Sequence, residues 1–226
     1  MSAQGGARHF HLELGELKSL LLEMSTFAEE LVRHAVDSLR EGDTSKAEAV
    51  ILGDRELDAM ELEVEDRCIH LLALQQPLAR DLRLIAMALK VSNDLERVGD
   101  HAVNIAQAVQ HLADLPPFPQ LPEIDEMARL AREMLSDSLD GFVRGDAVAA
   151  RLVCALDDRL DELHDSMFRI LVSQMMEDTS RIGPAMEIFL VSRNLERIGD
   201  LATNIAEDAV FLVEGHSIKH GRGEPE

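Results

Sequence analysis

The chain has 226 residues, of which 46% are hydrophobic, so it is long enough to bury the core of one large domain or two small ones. Its 43 acidic residues outnumber 22 lysines and arginines, which gives a net charge of −21. This charge repels nucleic acid and anionic lipid, so we expect no direct binding to either, whereas cationic partners and metal ions are favoured.

Cysteine usage and hydropathy indicate a soluble protein of the cytoplasm. Cys68 and Cys154 are isolated and have no CxxC spacing, so we expect two core thiols in a reducing compartment. No apolar run approaches the roughly 18 to 20 residues that a membrane span needs, and residues 1–8 lack the apolar core of a signal peptide.

The first half of the chain predicts three long helices. Apolar residues at helical spacing run through residues 12–40, and Gly42 suits a left-handed C-cap. The two residues after Gly42 can cap a second helix that extends to about residue 74, and Pro77 opens a third. The third helix carries an apolar stripe with alternating steps of four and three residues: Leu84, Ala88, Val91, Leu95, Val98, Ala102, Ile105, Val109 and Leu112.

The second half repeats this pattern after a proline-rich connector at residues 115–122, which cannot continue a helix. The offset between the halves is close to 103 residues through the first two helices and falls to 100 in the third, which predicts a shorter connection around residues 176–184. We therefore predict an all-α fold, a tandem duplication of an antiparallel three-helix bundle, with domains at residues 10–113 and 121–215.

One stretch of the third helix is repeated most closely: residues 91–106 and 191–206 are identical at 11 of 16 positions. Core packing alone does not demand the polar and glycine residues that recur, namely Glu96, Gly99, Asp100 and Asn104, which return as Glu196, Gly199, Asp200 and Asn204. On a helical wheel, the acidic and amide side chains fall within about 80° of arc, away from the apolar stripe.

The recurring glycine lies on the flank between the polar face and the apolar stripe. A glycine inside a helix costs roughly 0.5–1 kcal/mol relative to alanine. We therefore expect a neighbouring helix to approach closely at Gly99 and at Gly199.

A second pair of acids recurs on the second helix of each half, as Asp54 with Asp58 and Asp157 with Asp161. If these carboxylates face those of the third helix at about 6 Å, each like-charge contact costs on the order of 2–3 kcal/mol at an effective dielectric near 20. A bound cation would turn this repulsion into coordination. The predicted metal ligands are Asp54, Asp58, Glu96, Asp100 and Asn104 in the first half, and Asp157, Asp161, Glu196, Asp200 and Asn204 in the second.

Oxygen donors without a nearby cysteine favour iron, manganese or magnesium, with zinc and calcium as alternatives. The nine histidines include none with a glutamate three positions before it, so a ferritin-like di-iron motif is absent. Three alternatives stay open at this point. The acids could pair with Arg97, Arg197 and other basic side chains, the chain could be an inert helical scaffold, or it could be a carboxylate-bridged metal hydrolase or oxidase.

Over about residues 10–215 the chain resembles the PhoU family. The resemblance lies in the two copies of Leu-Glu-Arg-(Val/Ile)-Gly-Asp, in the Asp81-Leu-Arg83 segment before the first copy, and in the Met-Met-Glu-Asp segment ending at residue 178 before the second. It implies a cytoplasmic protein of two three-helix bundles, often a homodimer, without established catalytic activity, whose ExxxD motif pairs bind metal clusters. Because residues 179–184 replace the Asp-Leu-Arg segment in the second copy, the two metal sites are expected to differ in affinity.

The resemblance also implies a function. Members of this family act as adaptors that restrain the sensor histidine kinase of the phosphate two-component system and the phosphate ABC transporter, through its ATPase subunit. Phosphate-starvation genes then stay off when phosphate is plentiful, and the adaptor reaches the membrane only through its partners. The sequence shows neither a glycine-rich phosphate loop nor a basic pocket, so we expect phosphate to be sensed indirectly.

Overall fold

The structure is a computed structural model that describes residues 3–75 and 77–219. Its helices are α1 (Ala3–Glu41), α2 (Thr44–Gln75), α3 (Ala79–Leu112), α4 (Pro122–Arg144), α5 (Ala147–Glu177) and α6 (Ile182–Glu214), with one turn of 3-10 helix at Thr179–Arg181. No strand occurs in these two ranges. The predicted all-α fold of three long helices in each half is confirmed.

Glycines end the first helix of each half in the same way. Gly42 has φ of 64° and Gly145 has φ of 68°, the left-handed conformation that lets the chain turn after a helix. The next residue caps the following helix: Asp43 accepts hydrogen bonds from two backbone amides of the first turn of α2, and Asp146 does so at α5.

Three boundaries differ from the prediction. α3 begins at Ala79, so Pro77 lies before the helix rather than in its first turn. α1 begins at Ala3 rather than at residue 12, because a helix that is already nucleated extends cheaply, and Phe10 in the added part packs against the core.

The connection predicted to be shorter around residues 176–184 is not shorter, because α5 ends at Glu177 and α6 begins at Ile182, whereas α2 ends at Gln75 and α3 begins at Ala79. The shortening lies in α6 itself. α6 begins 103 residues after α3, as 182 − 79 = 103, although the repeated motif lies 100 residues on. The missing three residues are thus close to one turn at the start of α6.

The apolar stripes form a core that is continuous through both halves. In α3, every stripe residue from Leu84 to Val109 is buried, and Leu112 packs against the cluster from its edge. α3 and α6 pack against each other along the middle of the molecule, α2 lies against α3, and α5 lies against α6. This layout brings the acids of α2 beside those of α3, and the acids of α5 beside those of α6.

The expected close approach of helices at the repeated glycine is confirmed. A Cβ added to Gly99 would lie 2.5 Å from Asp54 Oδ1 and 2.5 Å from Leu57 Cδ2, both on α2. A Cβ added to Gly199 would meet the Leu160 side chain of α5 in the same way. The missing side chain therefore lets each pair of helices pack closely beside the acidic face.

We expect Gly99→Ala to lower the free energy of unfolding by about 1 kcal/mol or more. Overpacking a core costs about 1–3 kcal/mol. The higher helix propensity of alanine relative to glycine offsets at most about 1 kcal/mol of this cost. Gly15→Ala is the matched control, because it is also within a helix and a Cβ there would meet nothing within 4 Å. Urea denaturation should show that this control gains about 0.5–1 kcal/mol. An equal gain in both variants would contradict the close packing.

Candidate functional site

The four predicted acids of the first half lie together between α2 and α3. Asp54 is influenced by the charges of Asp58 and Asp100, and Glu96 by the charges of Asp100, Asp58 and Asp54. Asp58 and Asp100 are exposed, whereas Asp54 and Glu96 are half-buried. Asn104, one turn beyond Asp100, is exposed.

Burial and the charges of neighbouring acids raise the pKa of two of these side chains, Asp54 and Glu96. The pKa of Asp54 is raised to about 6, mainly by burial and then by the charges of Asp58 and Asp100. Burial also raises the pKa of Glu96 to about 6, with Asp100 as the strongest charged contributor. The first half therefore holds a concentration of negative charge that its fold does not neutralise.

Asp54 supplies the clearest sign of an unmet interaction. Its Oδ1 atom is buried and has no hydrogen-bond partner among the described residues. This is the atom that faces Gly99. A buried acceptor without a partner costs about 1–3 kcal/mol, and a cation is the partner that a set of carboxylates would accept.

The second half places its acids in the same arrangement. The pKa of Asp157 is raised to about 6, mainly by burial and then by the charges of Asp161 and Asp200. The pKa values of Asp161 and Glu196 are also raised, in each case mainly by burial and then by Asp200. Asn204 lines a groove together with Asp200.

The two halves differ in what their arginines do. Arg197 lies 3.4 Å from a Glu196 carboxylate oxygen and 2.5 Å from Asp200 Oδ2, so it neutralises part of the second acidic face. Its counterpart Arg97 turns the other way and pairs with Asp94 at 3.4 Å. The alternative that arginines pair with these acids therefore holds for the second half. In the described part of the first half, none of the four acids has a basic partner within 4.0 Å.

Sequence reasoning missed one residue in each half. Glu61 acts on Glu96, and His164, at the equivalent position 103 residues later, acts on Asp161. His164 Nδ1 also lies 3.1 Å from Ser192 Oγ on α6. The signal was available, because Glu61 lies seven residues after Asp54 and His164 lies seven residues after Asp157, which is two helical turns along the same face.

No three His, Cys, Asp or Glu side chains in the described ranges are already arranged as a metal site. The available donors, carboxylate oxygens with one unsatisfied buried atom, nevertheless have the chemistry that a hard cation prefers. The first half would hold such an ion through Asp54, Asp58, Glu96 and Asp100, after rotation of their side chains. Bound there, the cation would neutralise the like charges and link α2 to α3.

Comparison with known proteins identifies relatives over nearly the whole chain. A family model described as PhoU domain matches residues 21–109 and 124–209. A phosphate-specific transport system accessory protein PhoU homolog of Clostridium acetobutylicum is 38% identical over 210 residues, which cover 92% of this chain and 96% of the relative. The homolog of Aquifex aeolicus is 39% identical over 208 residues, or 92% and 94% of the two chains.

Two solved structures share the fold. The crystal structure of PhoU from Pseudomonas aeruginosa has a TM-score of 0.87 at 37% identity and covers 91% of this chain and 99% of its own. The phosphate transport system regulatory protein PhoU from Streptococcus pneumoniae has a TM-score of 0.87 at 29% identity, with coverage of 93% and 99%. None of the helices in the described ranges has an apolar segment long enough to cross a bilayer.

The pKa of Asp54 predicts a pH dependence for the protein freed of metal by a chelator. The folded pKa of about 6 exceeds the unfolded value of about 4, so the folded state binds more protons between these values. Stability contributed by protonated Asp54 is therefore lost as pH rises through about 4 to 6. Replacing Asp54 by Asn should remove this loss, so the variant should gain stability relative to the wild type across that window.

Denaturant unfolding at a series of pH values measures this difference. Asp178→Asn is a control of opposite sign, because hydrogen bonds from Ser180 lower the pKa of Asp178. That variant should lose stability relative to the wild type as pH rises. An Asp54→Asn curve parallel to that of the wild type would show that Asp54 is not held in a repulsive environment.

Proposed function

Because the chain belongs to the PhoU family, we propose that it is an accessory protein of a phosphate-specific transport system and acts as an adaptor in phosphate signalling. The observation that carries this proposal is the family match in both halves together with relatives matched over almost their full length. The proposed partners are the sensor histidine kinase of the phosphate two-component system and the ATPase subunit of the phosphate ABC transporter. The adaptor would act in the cytoplasm and reach the membrane through them.

Adaptor function fits the surfaces of the molecule better than catalysis does. The relatives are named as accessory and regulatory proteins rather than as enzymes. The second helix of each half also exposes large apolar side chains, a feature of surfaces that bind other proteins: Leu52, Leu62 and Ile69 on α2, and Val148, Leu152 and Phe168 on α5. The homodimer expected from the sequence stays a prediction, which light scattering at micromolar concentration can test.

We also propose that the acidic faces bind metal ions, with iron, manganese or magnesium preferred over zinc and calcium. The first face would bind more tightly, because its four carboxylates have no basic partner within the described residues. The second face would bind more weakly, because Arg197 occupies Glu196 and Asp200 and would have to leave them. Metal bound at the first face would hold α2 and α3 in one relative position.

Replacing Asp100 or Asp200 with Asn tests the metal proposal, since the duplication supplies two matched sites. Asn keeps the size and one oxygen but loses the charge, so the fold should survive. Elemental analysis of protein loaded with excess metal should show that each single variant loses about half of the bound ions and that the double variant loses nearly all. Wild-type protein that holds no metal after chelator-free, reducing purification would refute the proposal.

The two arginines test the difference between the faces. Arg197→Gln should tighten metal binding at the second face by up to about fivefold, because an exposed ion pair is worth about 0.2–1 kcal/mol. Arg97→Gln is the matched control: it removes the same charge at the equivalent position, but its side chain pairs with Asp94. Metal titration should show little change in this control. An equal change in both variants would indicate a general charge effect.

The adaptor proposal predicts a regulatory phenotype. Deleting the gene should raise expression of a phosphate-starvation reporter at high phosphate, and the intact gene should restore repression. Purified protein should bind the transporter ATPase or the cytoplasmic part of the kinase, whereas filter binding at physiological salt should detect no affinity for DNA. Normal repression in the deletion strain, or a tight DNA complex, would contradict the proposal.

A further inference from the structure

A second charged feature lies away from both acidic faces, where the start of α3 meets the ends of α4 and α6. It is a cavity of about 350 Å³ whose lining includes Lys18 of α1, Arg80 and Asp81 of α3, Val143 of α4 and Leu212 of α6. The expectation that the chain has no basic pocket is wrong at this place. Basic residues from the first half here meet helix ends from the second half.

Two of the cations at this junction donate to backbone carbonyls of helix ends. Lys18 Nζ donates to the carbonyl oxygen of Val143 at 3.2 Å, and Arg83 Nε donates to that of Leu212 at 3.3 Å. Each bond uses one of several donors, since an ammonium group has three and a guanidinium group has five. Both side chains therefore keep donors for a further ligand.

Arg80 adds a third cation. Its guanidinium occupies the space beside Gly145, where Nη2 would lie 2.5 Å from an added Cβ. In the part of the chain that the structure describes, no carboxylate lies within ion-pair distance of Lys18, Arg80 or Arg83. Burial and the charge of Arg80 lower the pKa of Lys18, against the smaller opposing effect of Asp81. Positive charge is thus in local excess in a chain of net charge −21.

The fold alone does not require these charges. Arg40 is the counterpart of Val143 at the end of α1, since 143 − 40 = 103, and its carbonyl oxygen accepts a hydrogen bond from the neutral amide of Gln120 at 2.7 Å. The cavity beside that helix end, about 270 Å³, is lined largely by apolar residues of the connector, such as Phe118 and Leu121. A neutral donor thus suffices at the equivalent end.

The second half has no counterpart of the basic side chains of α3. At the motif offset of 100 residues, Arg80 corresponds to Ser180 and Arg83 to Gly183. α3 also begins without a side-chain cap at Leu78, and Ala79 has a left-handed φ of 48°. Left-handed backbone at a non-glycine residue costs about 1–3 kcal/mol and persists where surrounding structure imposes it, often at ligand sites. The first half has departed from the shared pattern here in conformation as well as in charge.

We propose that this cavity binds a small phosphate-type oxyanion, held by Lys18 and Arg80; Arg83 is bonded to the lining residue Leu212. Guanidinium and ammonium groups are the side chains that recognise such anions, through charge-assisted hydrogen bonds. The lining comes from four helices, so a free ion can be contacted from several sides, which a phosphate on a lipid headgroup at a bilayer surface cannot. The proposal is independent of the metal sites and would bring the ion itself into contact with the junction between the halves.

Isothermal titration of the full-length, chelator-treated protein with inorganic phosphate tests the proposal, with ionic strength held constant by chloride. We expect saturable binding of one ion per chain and competition by sulfate. Arg80→Gln and Lys18→Gln should each weaken binding at least tenfold, and Arg80→Lys should weaken it less. The control is Arg144→Gln, which removes the same charge at the same end of the molecule from an arginine paired with Asp140 at 2.9 Å. It should change the affinity less than twofold.

Thermal denaturation of each variant shows whether the fold is intact. Lys18→Gln removes a bond to a helix end, so Arg80→Gln, which changes an exposed side chain, decides the outcome if the Lys18 variant is unfolded. Absence of saturable binding at millimolar phosphate would overturn the proposal. Equal weakening in Arg144→Gln would overturn it too, as would binding to phosphatidylglycerol vesicles without binding to free phosphate.

Discussion

The close packing of α2 on α3, and of α5 on α6, is the constraint on which the acidic faces depend. Because Gly99 has no side chain, Leu57 can fill the core beside it while Asp54 is drawn in far enough to bury one carboxylate oxygen. A single contact therefore determines both the packing of the core and the electrostatics of the face next to it. An alanine would separate the helices and return Asp54 to solvent.

Much of this arrangement could be predicted from the sequence because the chain is duplicated. Apolar spacing predicted the helices, and Gly42 and Gly145 predicted where the first helix of each half ends. The acid pairs four residues apart predicted the acidic faces. The different behaviour of Arg97 and Arg197 also has a readable cause. Asp94 stands three residues before Arg97, whereas the equivalent residue before Arg197 is Asn194, which cannot form an ion pair. Arg197 therefore turns to Asp200.

The basic cavity could not be predicted in this way. Lys18 and Arg80 are about 60 residues apart in sequence, and the carbonyls to which Lys18 and Arg83 donate belong to the other half of the chain. Periodicity describes one helix at a time, and a net charge of −21 conceals a local excess of the opposite sign. Only the packing of α1 and α3 against the ends of α4 and α6 brings these groups together.

The two halves differ in how far their charges are neutralised by the protein itself. In the first half, none of the four acids is paired with an arginine among the described residues, and the start of α3 carries Arg80 and Arg83. In the second half, Arg197 pairs with acids of its own face, and residues 180 and 183 are uncharged. The first half is thus the one whose charges are left for ligands. Both of its proposed sites lie on α3, which packs against α6. A cation or an anion bound there can therefore shift the equilibrium between different arrangements of the two halves. The size of the shift is set by the difference in the ligand's affinity for those arrangements.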